Sequence, residues 1–366
     1  MYRRRLTIFA AIATAIILSL PIANLALRAY IGGKLWPSET RDLWSLDRVE
    51  GNVAYLLMSC CNRSMYPGRT RIGRNGYFFL GDDDGQVISK ATGSWQPPAG
   101  LIEDRAAGLA RLQQRVADAG AALAVVIAPN KHSVYPEMLP PDLNPAQQTV
   151  TDAFVNRAEA MGVSILDLRP VMRRLKETSQ AYLKTDTHWT RAGAAASYDN
   201  VMRFLSDQHA VPASPVDYQL TPVNRPAGDL VRLLKMHEMF GPDHEVDYRI
   251  TMTPPPETCL ATLSLLSGDT SACVPSGDGE VSVMDRSMKM TRTDNAPNDQ
   301  TVLMLCDSFC TASSALFDAS FRVVYRVHWK FIDSAALGRY LEAFAPDIVI
   351  VQMVERDMLS FTESGN

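Results

Sequence analysis

Followed for its alternation of apolar and polar positions, the chain divides into stretches of different period. Residues 6–27 are apolar almost throughout, interrupted mildly by Thr7, Thr14, Ser19, Pro21 and Asn24. At about 1.5 Å per helical residue this run is roughly 33 Å long, enough to cross a hydrocarbon core of about 30 Å. Residues 28–70 carry few periodic signals, with Pro37 and Pro67 among mixed positions, and read as a linker passing into a domain edge. Residues 71–85 read as a hairpin. Its Asn75-Gly76 pair suits a tight turn whose two central residues need positive φ, and residues 77–80 form the returning strand.

Helical and continuous apolar periods then alternate. Leu109, Leu112, Val116 and Ala119 recur at helical spacing and Gly120 stops the helix. Residues 121–128 form an apolar run, as expected of a parallel strand buried on both faces. A helix over residues 149–161 ends at Gly162, a strand follows at 163–168, and Pro170 opens another helix where proline is tolerated. Thr190 is placed to cap a helix running to about residue 205. The pattern breaks over residues 212–300, where Pro222, Pro226, Pro242 and the run Pro254-Pro255-Pro256 interrupt it. We read this part as an irregular loop- and β-rich insertion with short hairpins, for instance at residues 245–252. Strand patterns return at 301–306, 322–327 and 347–354, with a helix at 334–344 between the last two. Strand, helix, strand in repetition predicts an α/β fold: a mostly parallel sheet flanked by helices.

Composition narrows the functional classes. The 366 residues are 46% hydrophobic, ample for a packed core. A net charge of -4 argues against a general nucleic-acid binder, and no Gly-x-x-x-x-Gly-Lys loop supports nucleotide chemistry. Arg3-Arg4-Arg5 precede the first apolar run and should stay cytoplasmic. Residues 1–5 are then a cytoplasmic tail, 6–27 a transmembrane signal anchor, 28–70 the linker and domain edge, and 71–366 an exported domain. A cleaved signal peptide is the competing reading, with the body exported either way. Export permits disulfides among the six cysteines, and Cys259 with Cys273 is the most plausible local pair. The triplet Asp82-Asp83-Asp84 lacks the alternating, Glu-terminated ligand loop of a calcium site and reads as a solvated turn. No Cys-x-x-Cys pair or His-rich tract supports zinc, so neither metal nor cofactor is expected.

Two stretches carry candidate chemistry. Asp186-Thr187-His188-Trp189 sits just ahead of a helix, and Ser308 directly follows the strand at 301–306. A serine hydroxyl is a poor nucleophile until a base takes its proton, and the base needs an orienting acid. Ser308 is thus a candidate nucleophile, His188 its base and Asp186 the orienter. A serine in a strand-to-helix turn also leaves backbone N–H groups free for an oxyanion. Trp189 reads as a packing anchor, and Cys310 as bonded to Cys306 or packed. Asn130 and Lys131 follow the strand at 121–128, at the edge where open α/β sheets place ligands. With Arg356, they are candidates for substrate or oxyanion contact, structural hydrogen bonding being the competing role. Among the other histidines only His132 sits where it could face the site, and an Asp/His metal centre finds no third ligand at motif spacing.

These residues carry a family resemblance. Asp307-Ser308-Phe309 after an apolar strand resembles the first block of SGNH hydrolases, with Cys306 where Gly is usual. Asp186-x-His188 resembles their Asp-x-x-His block, shortened and placed ahead of the serine. That order is similar to the AlgX/AlgJ family of exported SGNH-like polysaccharide O-acetyltransferases, known from alginate acetylation. Gly76-Tyr77-Phe78-Phe79-Leu80, Pro129-Asn130-Lys131, Tyr135-Pro136-Glu137, Ala192-Gly193-Ala194, Gly228-Asp229-Leu230 and Val354-Glu355-Arg356 agree with it. A separate Gly-x-Asn-Asp block is missing. The resemblance implies an SGNH-hydrolase-like fold held by a single pass at the inner membrane, with the catalytic domain in the periplasm. It implies acetyl transfer through a Ser308 ester to a polysaccharide acceptor, the donor being loaded by a membrane-bound O-acyltransferase. A carbohydrate esterase using the same triad and a non-catalytic polysaccharide-binding scaffold are the alternatives.

Overall fold

The buried strands assemble as their patterns require. The computed structural model describes residues 2–31, 43–209, 213–265 and 271–361. Met1 of the expected tail, Pro37 with the rest of 32–42, Pro212 at the start of the expected insertion, and residues 266–270 and 362–366 lie outside them. The chain begins with helix α1 (Tyr2–Ile31), of which Arg4–Ala26 is long and apolar enough to cross a membrane. It is followed by α2 (Asp47–Cys61) and the antiparallel hairpin β1 (Thr70–Ile72) and β2 (Phe78–Leu80). As the turn signal predicts, Asn75 and Gly76 both take positive φ, 53° and 76°.

The body runs through α3 (Val87–Ala91), α4 (Leu101–Asp118), β3 (Ala122–Ala128), α5 (Lys131–Val134), α6 (Val150–Ala160), β4 (Ile165–Asp167), α7 (Arg169–Leu175) and α8 (Arg191–His209). Next come β5 (Tyr218–Arg225), α9 (Asp229–Leu233), β6 (Glu245–Met252), β7 (Thr258–Ser264), β8 (Val274–Pro275) and β9 (Ser287–Thr293). The last part holds β10 (Asn298–Cys306), α10 (Ser314–Ser320), β11 (Phe321–His328), α11 (Ser334–Phe344) and β12 (Ile348–Val354). The main sheet has eight strands in the order β4-β3-β12-β10-β11-β9-β7-β8. The strands from β4 to β11 in that order are parallel, while β9, β7 and β8 run antiparallel.

Alternate residues of the central strands feed two cores. Ala124, Val126, Met304 and Ile350 point to one face, covered by α7, α8 and α10 through Met172, Tyr198 and Phe317. Val125, Ile127, Leu305 and Val351 point to the other, covered by α4, α6 and α11 through Leu112, Phe154 and Leu341. Each of the larger side chains among them contributes about 1.5–3 kcal/mol by leaving water, which explains why these runs read as unbroken apolar sequence. A third cluster joins Ala54 of α2, Ile72, Phe78 and Leu80 of the hairpin, and Leu230 and Val231 of α9.

Two expectations need correction. The stretch read as a linker contains the whole of α2. Residues 212–300 are also more regular than their prolines suggest: β5 and β6 form a separate ribbon, and β7, β8 and β9 extend the main sheet. Their strand signal is hidden because several buried positions are threonines whose hydroxyls are satisfied inside. Thr258 Oγ1 meets Thr293 Oγ1 at 2.7 Å and Thr291 donates to Asp318 at 2.7 Å. Asp318 is in turn paired with the fully buried Arg326 at 2.9 Å.

Candidate active site

Ser308 is presented by the end of β10. Asp307, just before it, accepts the Phe309 amide at 3.0 Å through one oxygen and the Val354 amide at 2.6 Å through the other. The turn is thereby fastened to β12, the neighbouring strand. A disulfide between Cys306 and Cys310 closes it from behind. Ser308 is the first residue of a 3-10 turn, Ser308–Ser313, and the opening N–H groups of such a turn have no partner within it.

His188 comes from the opposite side, on the loop between α7 and α8. An isolated bridge joins Tyr182 to Trp189, and the Thr190 amide donates to the Ala181 carbonyl at 2.9 Å. Thr190 caps α8 by accepting the Gly193 amide at 3.1 Å. Lys131 braces the loop from below, donating to the carbonyls of Phe78 at 2.7 Å and Lys184 at 2.9 Å. Glu245 of β6 accepts the Lys184 amide at 2.7 Å and the Thr185 hydroxyl. The buried Trp189 ring meets Phe309 edge-on at 5.1 Å, and the His188 ring lies 4.9 Å from Phe309. Trp189 therefore packs the two halves of the site together.

His188 Nδ1 lies 2.7 Å from Asp186 Oδ1, and Nε2 lies 2.8 Å from Ser308 Oγ. A carboxylate only accepts, so Nδ1 carries the proton and Nε2 is left to receive one from the serine. Burial opposes the charge on Asp186, but the hydrogen bond and charge of His188, the His188 amide and Arg225 outweigh it. They hold this carboxyl well below the usual carboxylate range. Arg225 Nη2 stands 3.6 Å from Asp186 Oδ2. A second carboxylate, Asp229, lies 3.8 Å from His188 Nδ1 and accepts both the amide and the hydroxyl of Thr187. Burial, then the charge of Asp186, pushes the Asp229 carboxyl up.

The triad opens into a cavity of about 210 Å³ lined by Leu183, Arg225, Glu280 and Thr311 among others. A larger recess of about 450 Å³, reaching Tyr248 and Arg249 on β6, shares Arg191, Arg225, Glu280 and Ala312 with it. Together they make a groove leading from Ser308 along the β5–β6 ribbon.

A family model described as "SGNH hydrolase-like domain, acetyltransferase AlgX" matches residues 71–271, more than half of the chain and including Asp186 and His188. The chain belongs to this family. "Probable alginate O-acetylase AlgJ" of Pseudomonas aeruginosa is 25% identical over 172 residues, which cover 46% of this chain and 42% of that protein. This AlgX-family chain thus spans less than half the length of the curated relatives it matches. Among solved structures, PatB1 of Bacillus cereus superposes with a TM-score of 0.56 at 16% identity, covering 80% of this chain and 96% of that one. A DHHW family protein from Eubacterium siraeum gives 0.53 at 13% identity, covering 80% and 94%. Both are similar in fold.

The AlgX-family site contains fewer of the expected residues than the sheet edge suggested. Asp186, His188 and Ser308 are brought together. Lys131 is not: it is buried, bonded to two carbonyls, and burial lowers its ammonium to about 8. Asn130 is also buried. Its amide donates to Glu355 at 2.8 Å and its side-chain oxygen accepts from Arg356 at 3.4 Å. Arg356 lies between Asp84, at 3.7 Å, and the Phe309 ring, at 5.7 Å from its centre. None of the three lines the cavity at the triad. His132 faces inward, its Nε2 at 3.0 Å from the Leu80 carbonyl. Asp82 is more than a solvated turn residue, because it accepts the amides of Ile88 and Ser89 at the start of α3.

Asp229, Gly228 and Arg225 were missed as site residues. Gly228-Asp229 was visible as a motif, but its role depends on contact: a Cβ on Gly228 would lie 2.4 Å from Asp186 Cβ. Asp229 also supplies in space the third metal-ligand candidate that sequence spacing lacked, all three atoms lying within 4.8 Å. Their donor atoms are engaged by Thr187, by Ser308 and by one another, a set suited to holding an imidazole.

Proposed function

We propose that this chain is a serine-dependent O-acetyltransferase that moves an acetyl group through a Ser308 ester onto hydroxyls of an alginate-type polysaccharide. The observation that carries this reading is the unbroken line Asp186–His188–Ser308 at the floor of an open groove. Family membership and relatives named alginate O-acetylases support it.

In the first half-reaction Ser308 Oγ attacks the acetyl carbonyl while His188 Nε2 takes its proton, and Asp186 stabilises the imidazolium. The Ser308 amide, at the opening of its 3-10 turn, is the donor this reading assigns to the developing oxyanion. Collapse breaks the bond to the donor's leaving group, which accepts the proton from His188, and leaves acetyl on Ser308. In the second half a sugar hydroxyl attacks this ester, giving its proton to His188. Ser308 departs with that proton and is restored. The donor in this reading is loaded by a membrane-bound O-acyltransferase. The α1 segment anchors the chain in the same inner membrane with the catalytic domain outside it.

The test supplies the full-length protein with a small acetyl ester, with and without acidic oligosaccharide, and follows acetylated sugar by mass spectrometry. Acetylated sugar that disappears in Ser308→Ala is the expected result. Donor turnover giving only free acetate, with or without sugar, overturns transfer in favour of an esterase.

A further inference from the structure

Helix α2 carries apolar residues on two sides, and the domain uses only one of them. Gly51 and Ala54 face inward, Ala54 joining the cluster of Ile72, Phe78 and Leu230. The charged residues of its first turns are drawn toward the domain as well. Asp47 and Glu50 both pair with Lys235 at 2.6 Å, and Arg48 pairs with Glu238. What remains outside is Trp44 at 46% exposure, Leu46 at 50%, Val53 at 41% and Leu56 at 63%, continued by the exposed Cys60. From Leu46 onward these recur at three-, four- and seven-residue steps and form one stripe. Tyr55, also on α2 and 39% exposed, leans edge-on to Phe240 at 6.1 Å. The remaining large exposed apolar residues of the described domain, such as Leu220, Leu233, Val274 and Met284, are scattered over separate elements, which is ordinary for a soluble surface.

The position of the stripe indicates what covers it. Asn24, near the end of the apolar span Arg4–Ala26 and fully buried, donates through Nδ2 to the carbonyls of Leu43 and Ser45, each at 2.8 Å. Trp44 lies between those two carbonyls. The stripe therefore starts beside the end of α1 that is remote from Arg4 and Arg5. If α1 spans a bilayer, that end lies at the outer interface, the depth at which tryptophan concentrates and amphipathic helices lie flat.

We infer that α2 lies in the outer interface of the membrane entered by α1, with the stripe from Trp44 to Cys60 against the lipid headgroup–acyl boundary. This rests on reading α1 as an anchor. It also gives the site a fixed height. The inward face of α2 packs on the β1–β2 hairpin, whose Phe78 amide donates to the Lys184 carbonyl at 2.8 Å, two residues before Asp186. The His188 loop is thus held at a set distance above the surface on which an acetyl donor embedded in the bilayer would be met.

The test uses the full-length chain with Cys60→Ser and Cys61→Ser, reconstituted at high lipid excess in phosphatidylethanolamine–phosphatidylglycerol vesicles. A single nitroxide is placed at Leu56→Cys, at Ile12→Cys within α1, or at Asp83→Cys on the polar surface. Accessibility to oxygen and to a water-soluble nickel chelate is read by spin resonance. The expected result is that the Leu56 position, like Ile12, favours oxygen over nickel, while Asp83 favours nickel. A Leu56 position behaving like Asp83, with Ile12 in lipid, overturns the inference and leaves the anchor intact. Shielding of Leu56 from both reagents means that a second copy covers the stripe, and overturns it too. An Ile12 position open to nickel overturns the anchor reading and this one with it. In the otherwise unmodified chain, brominated acyl chains should quench a share of tryptophan emission that Trp44→Phe removes; no such share counts against the inference.

Discussion

Lys131→Met separates a brace from a substrate contact. The ammonium is buried, bonded to the carbonyls of Phe78 and Lys184, and its titration is lowered from 10.5 to about 8, first by burial. Each tenfold loss of proton affinity is worth about 1.4 kcal/mol, so burying this charge costs about 3 kcal/mol. Leaving two carbonyls without their donor costs about 1–3 kcal/mol each. At pH 7 the variant regains the first and loses the second, for a net loss of up to about 3 kcal/mol. The sign with pH follows from linkage. The folded-state value is lowered, so between pH 8 and 10.5 the unfolded chain binds more protons than the folded one, and wild-type stability rises. The variant lacks this contribution, so its deficit should grow by up to about 3 kcal/mol across that window. Denaturant unfolding of both proteins at pH 7, 8.5 and 10, with the difference plotted, cancels every other titrating group. A pH-independent difference refutes the reasoning. So does unchanged stability accompanied by a raised KM for the acceptor.

Asp186→Asn should fold but lose on the order of 10³–10⁴ in kcat, because the amide disturbs the imidazole tautomer and no longer stabilises the imidazolium; near-wild-type kcat counts against its role. Because the Asp186 carboxyl is held low, its stabilising effect is fully present above about pH 4 and fades as pH falls below that, so the Asn variant should show a shallower acid limb in urea unfolding. Gly228→Ala should lower kcat by about 10² or more, since its Cβ would displace Asp186, with KM for the donor little changed. Replacing Cys306 and Cys310 together by Ala removes a cross-link over a sequence separation of 4. The loop-entropy estimate is a loss of about 2 kcal/mol, read by calorimetry, and kcat should fall as the Ser308 turn loosens.

Much of the fold was legible because a parallel strand buried on both faces has little choice but to be apolar. Residues 122–128, 302–305 and 348–354 could be read almost to their ends, and the carboxyl edges of their strands pointed to Ser308, Asn130 and Arg356. The chain order of Asp186, His188 and Ser308 was visible for a related reason: nucleophile, base and orienter are chemically distinctive, and each sits next to a readable element. The edge misled at Lys131, where a cation expected to meet a ligand instead turns inward to hold two carbonyls. Sequence cannot show which way such a side chain points. Strands β7 to β9 escaped because their buried threonines are satisfied by hydrogen bonds that exist only once the sheet and Asp318 meet. Arg225 and Glu280 reach the site across folds of the chain, with no local spacing to announce them, and the Gly228-Asp229 pair shows its role only where it meets Asp186 and Thr187. Helix α2 is hidden in the sequence because its two apolar stripes, one inward and one outward, blur the single period by which an amphipathic helix is recognised.

The passage of acetyl through Ser308, with His188 as base, decides the proposed function. Its most direct test is to mix the full-length protein with an acetyl-ester donor, quench within one turnover, and map the adduct by peptide mass spectrometry. Acetyl is expected on the peptide containing Ser308, absent from Ser308→Ala and His188→Ala, and discharged when oligosaccharide is added before the quench. Acetyl on another residue, or full activity in Ser308→Ala, would contradict it.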